Sequence, residues 1–371
     1  MRILQVVTLL SPDGAYGGPA RVALNQGAEL INRGHDVIVA AAARGYPDLP
    51  TESNGVPLRL FAARRLVPGT GFAGLGAPAL NRWFGRNLTD FDVVHIHFGR
   101  DLVVLPAAAA ARRRKIPYVL QTHGMVTPSG HPLAPTLDAL WTRKVLRDAG
   151  TVFYLTDRER EQLVAVANGQ LRLVQLGNGV PDYPGVLHRR GTPEVLFAAR
   201  MHPRKRPIAF VDMAKTLLDA GVDARFTLIG PDEGEGDLVR AAIQDEPRIT
   251  WEGALDPAAV PRRMAAASVY VLPAVREPYP MSVLEAMSVG LPVVVCDDCG
   301  LAPLVEGTRC GIVTEPAVAA LVAAVESILA DPSRARAMGD RGREAVHTQL
   351  SMRAVGDLLL ETYAKLVDGR Q

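Results

Sequence analysis

The sequence predicts an α/β chain made of two parallel-sheet domains, and three observations predict it. Its 371 residues are the length of two ordinary domains. Short aliphatic runs alternate with stretches of helical periodicity along nearly the whole chain, the pattern of parallel sheets covered on both faces. That alternation breaks once, at Asn178-Gly179-Val180-Pro181-Asp182-Tyr183-Pro184-Gly185, and then restarts. Composition agrees. Hydrophobic residues make up 48% and aromatics only 5%, which calls for an aliphatic core.

The elements follow in order. Ile3 to Val7 reads as the first strand, since Met1 to Val7 is too short and too soon polar for a signal peptide. The loop Ser11 to Gly18 leads to Pro19, which suits the first turn of a helix. Ala23, Leu24, Gly27, Leu30 and Ile31 fall on one helical face, and Gly34 ends that helix before strand Val37 to Ala40. Further strands are expected at 93–98, 118–121, 152–155 and 171–174. Thr156-Asp157-Arg158-Glu159 is a capping box that opens a helix between the last two. Beyond the break, strands are expected at 195–199, 226–230, 249–251, 269–272 and 292–296. Helices dominate after about Pro316. Ser351 can cap a last helix with Val355, Leu358, Leu359, Tyr363 and Leu366 along one side. The expected division is a Rossmann-like domain over 1–181, a linker over 182–193, a second Rossmann-like domain over 194–350, and a terminal helix over 351–371.

Composition excludes several classes. No apolar run reaches about 18 residues, so no membrane-spanning helix is expected. Three cysteines argue against a disulfide framework and for a cytoplasmic protein. The net charge of +2 hides an asymmetry. Residues 1–181 carry 20 Lys+Arg against 13 Asp+Glu, a formal +7, while the rest carry 21 against 26, a formal −5. Arg64-Arg65, Arg82 to Arg86 and Arg112 to Lys115 concentrate the positive charge. Each cluster reads as solvated surface. Together they suit an anionic partner, such as a phospholipid surface or a phosphorylated acceptor. The basic-plus-aromatic groove of a nucleic-acid binder is missing.

The residues that can carry chemistry cluster at strand ends. Arg276 to Met287 holds two carboxylates, Glu277 and Glu285, which bracket the passage from a loop to a helix ended by Gly290. Strand Val269 to Leu272 runs into that loop, so Glu277 faces the crevice where open α/β sheets bind ligands. Ser282-Val283-Leu284-Glu285 has the form of a capping box, so Glu285 reads equally as a cap or as a ligand contact. Arg200 and Lys205 lie in a cationic stretch after strand 195–199, where fixed cations can neutralise a diphosphate. Gly14 to Pro19, with Gly17 and Gly18, follows the first strand and lets backbone amides approach a phosphate. It has neither the dinucleotide fingerprint nor the P-loop order. His123, in Thr122-His123-Gly124, ends strand 118–121. His95 and His97 share one face of a strand and read as buried histidines. Cys296 and Cys299 read as ordinary thiols, and Asp90 and Asp92 precede a strand, at the wrong end of the sheet for a ligand. No metal site, Ser-His-Asp pattern or nucleophile elbow is apparent.

In chain order, Gly17-Gly18, Thr122-His123-Gly124, Asn178-Gly179-Val180, Arg200 with Lys205, Leu228-Ile229-Gly230 and Glu277 through Glu285 resemble a known family. It is the E-x7-E family of retaining GT-B glycosyltransferases, the family-4-like group with glycogen synthases, sucrose synthases and bacterial mannosyl- and glucosyltransferases. The resemblance covers almost the whole chain. It implies two Rossmann-like domains facing a cleft, with the C-terminal helix crossing back to the N-terminal domain. It implies that Glu277 holds donor-sugar hydroxyls, Glu285 binds the ribose, and Arg200 and Lys205 grip the leaving diphosphate. Amides at Gly17, Gly18, Met281 and Ser282 would cradle the phosphates and sugar, Gly230 would lie in the nucleotide site, and His123 would approach the sugar. It implies no metal and no cofactor beyond a UDP- or GDP-linked sugar as co-substrate. The expected activity is retaining hexosyl transfer to a cell-surface glycan, glycolipid or related glycoconjugate, on the inner face of the membrane. A soluble small-molecule acceptor is the alternative, and a sugar-nucleotide epimerase or a bilobed sugar-binding protein ranks below it. One position departs from the pattern: Pro280 stands where the family often has Gly, and proline offers no N–H.

Overall fold

A computed structural model describes residues 1–12, 17–67, 74–131, 134–183, 191–244, 246–256 and 258–369. It divides into two compact units: Met1–Gly179 with Met352–Gln371, and Val180–Ser351. Of the expected linker, residues 184–190 lie outside the described residues. Val180 donates its N–H to Leu350 O at 2.9 Å and bridges to Ser351, so the two chain crossings run side by side.

Unit 1 contains β1 (Arg2–Leu10), β2 (Asp36–Ala43), β3 (Glu52–Ser53), β4 (Val56–Ala62), β5 (Arg64–Arg65), β6 (Leu75–Gly76), β7 (Val93–His97), β8 (Tyr118–Gln121), β9 (Thr151–Tyr154) and β10 (Leu173–Gln175). Its main sheet runs β10-β9-β8-β7-β1-β2-β4-β3, and β5 pairs separately with β6. Within the main sheet only the β3–β4 pairing is antiparallel. After Arg2 every residue of β1 is buried, as a strand covered on both faces must be. Leu4, Val6, Val94, Ile96 and Leu120 pack on one face against Val104, Ala107, Ala108 and Ala111 of helix Val104–Arg113. On the other face, Ile3, Val93, Val119 and Phe153 meet Leu30 of helix Gly17–Asn32. They also meet Val355, Leu359 and Tyr363 of the terminal helix Met352–Asp368. Arg33 joins those two helices, binding Glu29 at 2.7 Å and Asp357 at 2.5 Å.

Unit 2 contains β11 (Glu194–Ala198), β12 (Arg225–Ile229), β13 (Ile249–Trp251), β14 (Val269–Leu272), β15 (Val293–Cys296) and β16 (Gly311–Thr314). All its pairings are parallel, in the order β13-β12-β11-β14-β15-β16. The order reverses between β11 and β14. This is the switch point of a doubly wound sheet, outside whose strand carboxyl ends ligands bind.

The strand reading was incomplete at the sheet margins. β4 was not expected; its Pro57 lies just ahead of the ladder with β2, which begins at Leu58. β16 was also missed. β10 begins at Leu173 rather than Leu171, and as an edge strand it is only partly buried, so its apolar signal is weak. Gly290, at φ 87°, does end helix Met281–Ser288.

Leu359 is fully buried between the terminal helix and the unit 1 sheet. Leu359→Ala should therefore cost unit 1 about 2–5 kcal/mol, read from its chemical denaturation midpoint. A loss under about 1 kcal/mol would mean that the helix is not part of this core.

Candidate functional site

At the unit 2 switch point, β11 feeds the loop 199–206 and β14 feeds the loop 273–280. Hydrogen bonds to backbone carbonyls stitch these loops together. Val275 donates its N–H to Arg204 O at 3.1 Å, and Arg206 Nη1 donates to Pro273 O at 3.2 Å. A 3-10 turn, Pro203–Lys205, is capped by His202, whose Nδ1 accepts the Arg204 N–H at 3.1 Å. The turn brings Lys205 Nζ to 2.5 Å from Glu277 Oε2, and Arg204 Nη2 lies 3.5 Å from the same oxygen. The Lys205 and Glu277 side chains are only 11% and 9% exposed, so water screens the pair weakly. Burial pulls the Lys205 ammonium below its ordinary pKa, and the Glu277 charge opposes that pull. Two backbone bonds hold the carboxylate's loop: Glu277 O accepts the Gly300 N–H at 2.8 Å, and Arg276, at φ 51°, donates its N–H to Asp298 Oδ2 at 2.7 Å.

The capping box expected at Ser282 is not formed. Helix Met281–Ser288 has Pro280 as its N-cap and no side-chain cap bond. Proline has no N–H for a glutamate to satisfy, and the helix begins early enough to put Glu285 in its second turn. Ser282 instead meets Tyr270, whose hydroxyl bridges Ser282 Oγ at 2.7 Å and Ala198 O at 3.1 Å. Burial pushes the Tyr270 pKa up, and the nearby charges of Glu285 and Glu277 add to the rise. Glu285 is itself buried, at 3% exposed. Met281 and Ser282 form the first turn, where an α-helix leaves backbone N–H groups without helical partners.

Arg200 does not share Glu277 with Lys205. Its Nη1 lies 2.6 and 2.8 Å from the two oxygens of Glu233, in the loop after β12. Each cation expected to hold a diphosphate thus has a carboxylate of its own. Gly230 has a structural reason to be glycine. It stands at φ 138°, and a Cβ there would come within 1.9 Å of Ala199 O, so the β11 and β12 loops could not approach as they do.

In unit 1, helix Gly17–Asn32 begins at the Gly17-Gly18 pair, and residues 13–16 of the preceding loop lie outside the described residues. Gly18 is exposed, and an added Cβ would meet no described atom within 4 Å. β8 ends in Thr122-His123-Gly124, where His123 and Gly124 have φ of 50° and 73°. Buried Glu159 spans this turn. Its Oε1 accepts from Thr122 Oγ1 and from the Gly124 N–H, each at 2.5 Å, and its Oε2 accepts the Leu155 N–H at 2.6 Å. Only half of the capping box at 156–159 therefore forms. Thr156 caps its helix by accepting the Glu159 N–H at 3.3 Å, while the Glu159 side chain serves the His123 turn.

His95 and His97 are both fully buried, as read from the sequence. Their rings stack at 4.7 Å, and His97 stacks on His123 at 5.1 Å. His97 Nδ1 is hydrogen-bonded to His123 Nε2 at 2.8 Å, and His95 Nδ1 to the Tyr363 hydroxyl at 2.6 Å. Burial holds His95 and His123 down to about 3 and His97 well below its ordinary value, so the column is neutral near pH 7.

The remaining motifs resolve simply. Cys296, Cys299 and Cys310 are free and buried, and burial pushes the first two thiols up to about 11 and about 12. Asp92 accepts the Arg2 N–H at 2.7 Å at the amino end of the unit 1 sheet. Among the described residues, no group of three or more His, Cys, Asp or Glu is arranged to hold a metal ion. Sequence reasoning missed Glu159, Glu233 and Tyr270. Only Glu159 left a signal, and the capping pattern assigned it to the wrong backbone groups.

Gly230→Ala should destabilise unit 2 by about 1–3 kcal/mol or more, seen as a lower thermal midpoint. An unchanged midpoint would refute the close approach of the two loops. The column also sets a pH dependence. Folded pKa values below the unfolded value of about 6.5 mean that stability is full above that pH and is lost as pH falls toward 3. Buried Asp101, raised to about 6, works in the opposite sense and offsets one of the three protons. The thermal midpoint should therefore fall from about pH 7 to about pH 5, and fall less in His97→Gln. A flat wild-type profile would contradict the neutral column.

Comparison with known proteins identifies the family. Residues 17–179 match the glycosyl transferase 4-like domain model, and residues 184–345 match the model of glycosyl transferases group 1. The chain is 25% identical to a 2-deoxystreptamine glucosyltransferase of Streptomyces kanamyceticus, over 87% of this chain and 93% of that one. It is 29% identical to a 2-deoxystreptamine N-acetyl-D-glucosaminyltransferase of Streptomyces fradiae, over 91% and 90%. Its fold is similar to the sucrose-phosphate synthase of Thermosynechococcus elongatus, with TM-score 0.79 and 19% identity over 99% of both chains. It is also similar to Anabaena HepE in complex with UDP and glucose, with TM-score 0.77 and 18% identity over 98% and 99%. The chain belongs to the family-4-like glycosyltransferases of GT-B fold, enzymes that take their sugar from a nucleotide-sugar donor.

Proposed function

We propose that this enzyme transfers a hexose from a UDP- or GDP-linked sugar to a hydroxyl of a cyclitol, with retention of configuration and without a metal. The observation that carries the donor half is the Lys205–Glu277 pair at the unit 2 switch point. A buried cation beside a buried carboxylate offers a diphosphate and a sugar hydroxyl one partner each. Lys205 and Arg200 take the leaving diphosphate, each charge-assisted hydrogen bond contributing about 1.5–3 kcal/mol, and they matter most where charge grows in the transition state. Glu277 holds sugar hydroxyls, and Glu285 holds the ribose. The amides of Met281 and Ser282 meet phosphate or sugar, as do those of Gly17 and Gly18 from unit 1, and Pro280 contributes none. His123 meets the sugar. The acceptor oxygen bonds to the anomeric carbon on the face the diphosphate leaves, and the acceptor's proton passes to the departing phosphate oxygen.

Relatives named for their acceptors support the cyclitol. Two are 2-deoxystreptamine transferases. Others are a phosphatidyl-myo-inositol mannosyltransferase of Propionibacterium freudenreichii and a D-inositol 3-phosphate glycosyltransferase of Gordonia bronchialis. Deoxystreptamine and inositol are both six-membered carbocyclic polyols. A second reading, in which the cyclitol is a lipid headgroup at the inner membrane face, is favoured by Leu140 and Trp141. They are 57% and 44% exposed beside Arg143 and Lys144, in the basic half of the chain. No helix among the described residues is long and apolar enough to cross a membrane.

The test offers UDP-, GDP- and ADP-sugars with deoxystreptamine, myo-inositol or phosphatidylinositol vesicles, and measures nucleoside diphosphate release and product anomer. Glu277→Gln and Lys205→Ala should each lower kcat/KM by about 10²–10³ while circular dichroism stays native, and EDTA should leave the wild-type rate unchanged. Wild-type rates in both variants would remove the donor assignment. An inverted product, or loss of rate in EDTA, would overturn the mechanism.

A further inference from the structure

We propose that Glu159 and His97 are positioning residues for His123: Glu159 fixes its backbone and His97 fixes its ring, which leaves Nδ1 as the hydrogen-bond acceptor presented to the ligand. The proposal rests on the reading of His123 as a sugar contact.

His123 is a non-glycine residue in the left-handed region, at φ 50°. Such a conformation costs on the order of 1–3 kcal/mol and persists only where its surroundings over-determine it. Glu159 does so. It accepts from the residues on both sides of His123, at Thr122 Oγ1 and the Gly124 N–H, and is itself anchored by the Leu155 N–H. Two backbone N–H groups approach opposite oxygens, so the position requires a carboxylate. A glutamine turned either way would aim its NH₂ at one of those donors.

The ring is held as firmly. His123 Nε2 is committed to His97 Nδ1 at 2.8 Å, and the two rings are nearly parallel, at 7°. His97 Nε2 lies 3.2 Å from Gln5 Oε1, an acceptor. Assigning Gln5 Oε1, rather than its amide nitrogen, to His97 Nε2 puts the His97 proton on Nε2, makes its Nδ1 a lone pair and has His123 donate from Nε2. The remaining nitrogen of His123, Nδ1, is then a lone pair suited to a sugar hydroxyl. Behind this pair, His95 stacks on His97 at 3° and is tied to Tyr363 of the terminal helix. A neutral acceptor can hold a hydroxyl without setting a cation beside the anomeric carbon as that carbon becomes positive.

Long-range proton–nitrogen correlation on the full chain, with histidine labelled, tests the assignment. The His123 signals are identified by their loss in His123→Ala. Wild type should show only the Nε2–H tautomer from about pH 8 to about pH 5. An Nδ1–H tautomer, or an imidazolium in that range, would overturn the proposal with no positioning variant needed. His97→Phe, which keeps a flat ring, and Glu159→Gln should give mixed tautomers or new ring shifts. Each should also lower kcat by about ten- to a hundredfold, with donor KM within about twofold. A merely structural role would lower the melting temperature and leave kcat per folded enzyme unchanged, which also overturns the proposal. Full activity in His123→Ala would instead remove His123 from the site. Impaired His123→Ala beside fully active His97→Phe and Glu159→Gln would spare that reading and defeat this proposal.

Discussion

The proposed donor site depends on one buried ion pair, Lys205–Glu277. Each charge is held in place by the other, and Arg204 Nη2, 3.5 Å from the same Glu277 oxygen, gives the carboxylate a second, longer cationic contact. The pair exists only because the loops after β11 and β14 are laced by hydrogen bonds to backbone carbonyls, one from the Val275 N–H and one from the Arg206 guanidinium. Those loops are neighbours only because the strand order of unit 2 reverses between β11 and β14. Topology brings the loops together, lacing fixes the backbone, and burial makes the charges strong.

Unit 1 solves a different problem with the same means. Its sheet is aliphatic on one face, but the other carries Gln5, His95, His97 and Gln121, all fully buried. Gln121 links the set to Gln26 and Asn178, each at 3.1 Å, and Tyr363 closes it from the terminal helix. Such networks rigidify what they touch but are costly where polar atoms go unpartnered, and here Gln5 Nε2, Gln26 Oε1 and His95 Nε2 have no hydrogen-bond partner among the described residues. Here the network ends at His123. In both units a carboxylate from another segment holds a non-glycine residue in the left-handed region: Glu159 at the His123 turn and Asp298 at Arg276.

The legible parts of the fold were those set by local periodicity. The central strands were placed to within one residue at each end, except that β1 and β2 run three residues further than expected, to Leu10 and Ala43, because each is a continuous buried run flanked by Gly, Pro or polar residues. The margins were not, because β4, β10 and β16 are partly exposed and their apolar signal is diluted. Glu277 was legible as a carboxylate just after a core strand. Its partnership with Lys205 was not, since 72 residues separate the two. The Ser282 box failed, and only the Thr156 half of the other formed, for a related reason. Ser282 and Glu285, and Thr156 and Glu159, have the right local spacing, but Pro280 removes one backbone donor, and the His123 turn recruits the side chain of Glu159.

Chain order and residue type by themselves determined the class of this protein: a two-unit α/β chain with glycines, cations and paired glutamates at successive strand ends. These are properties of short segments, and short-range spacing encodes them. Tertiary structure alone decided which charges meet. It gave Arg200 to Glu233 rather than to Glu277, turned Ser282 from a cap into a partner of Tyr270, and joined His95, His97 and His123 into one neutral column. The reason is physical. Hydrogen bonds and ion pairs act over a few ångströms in space, and only the crossing of distant strands determines which residues lie that close.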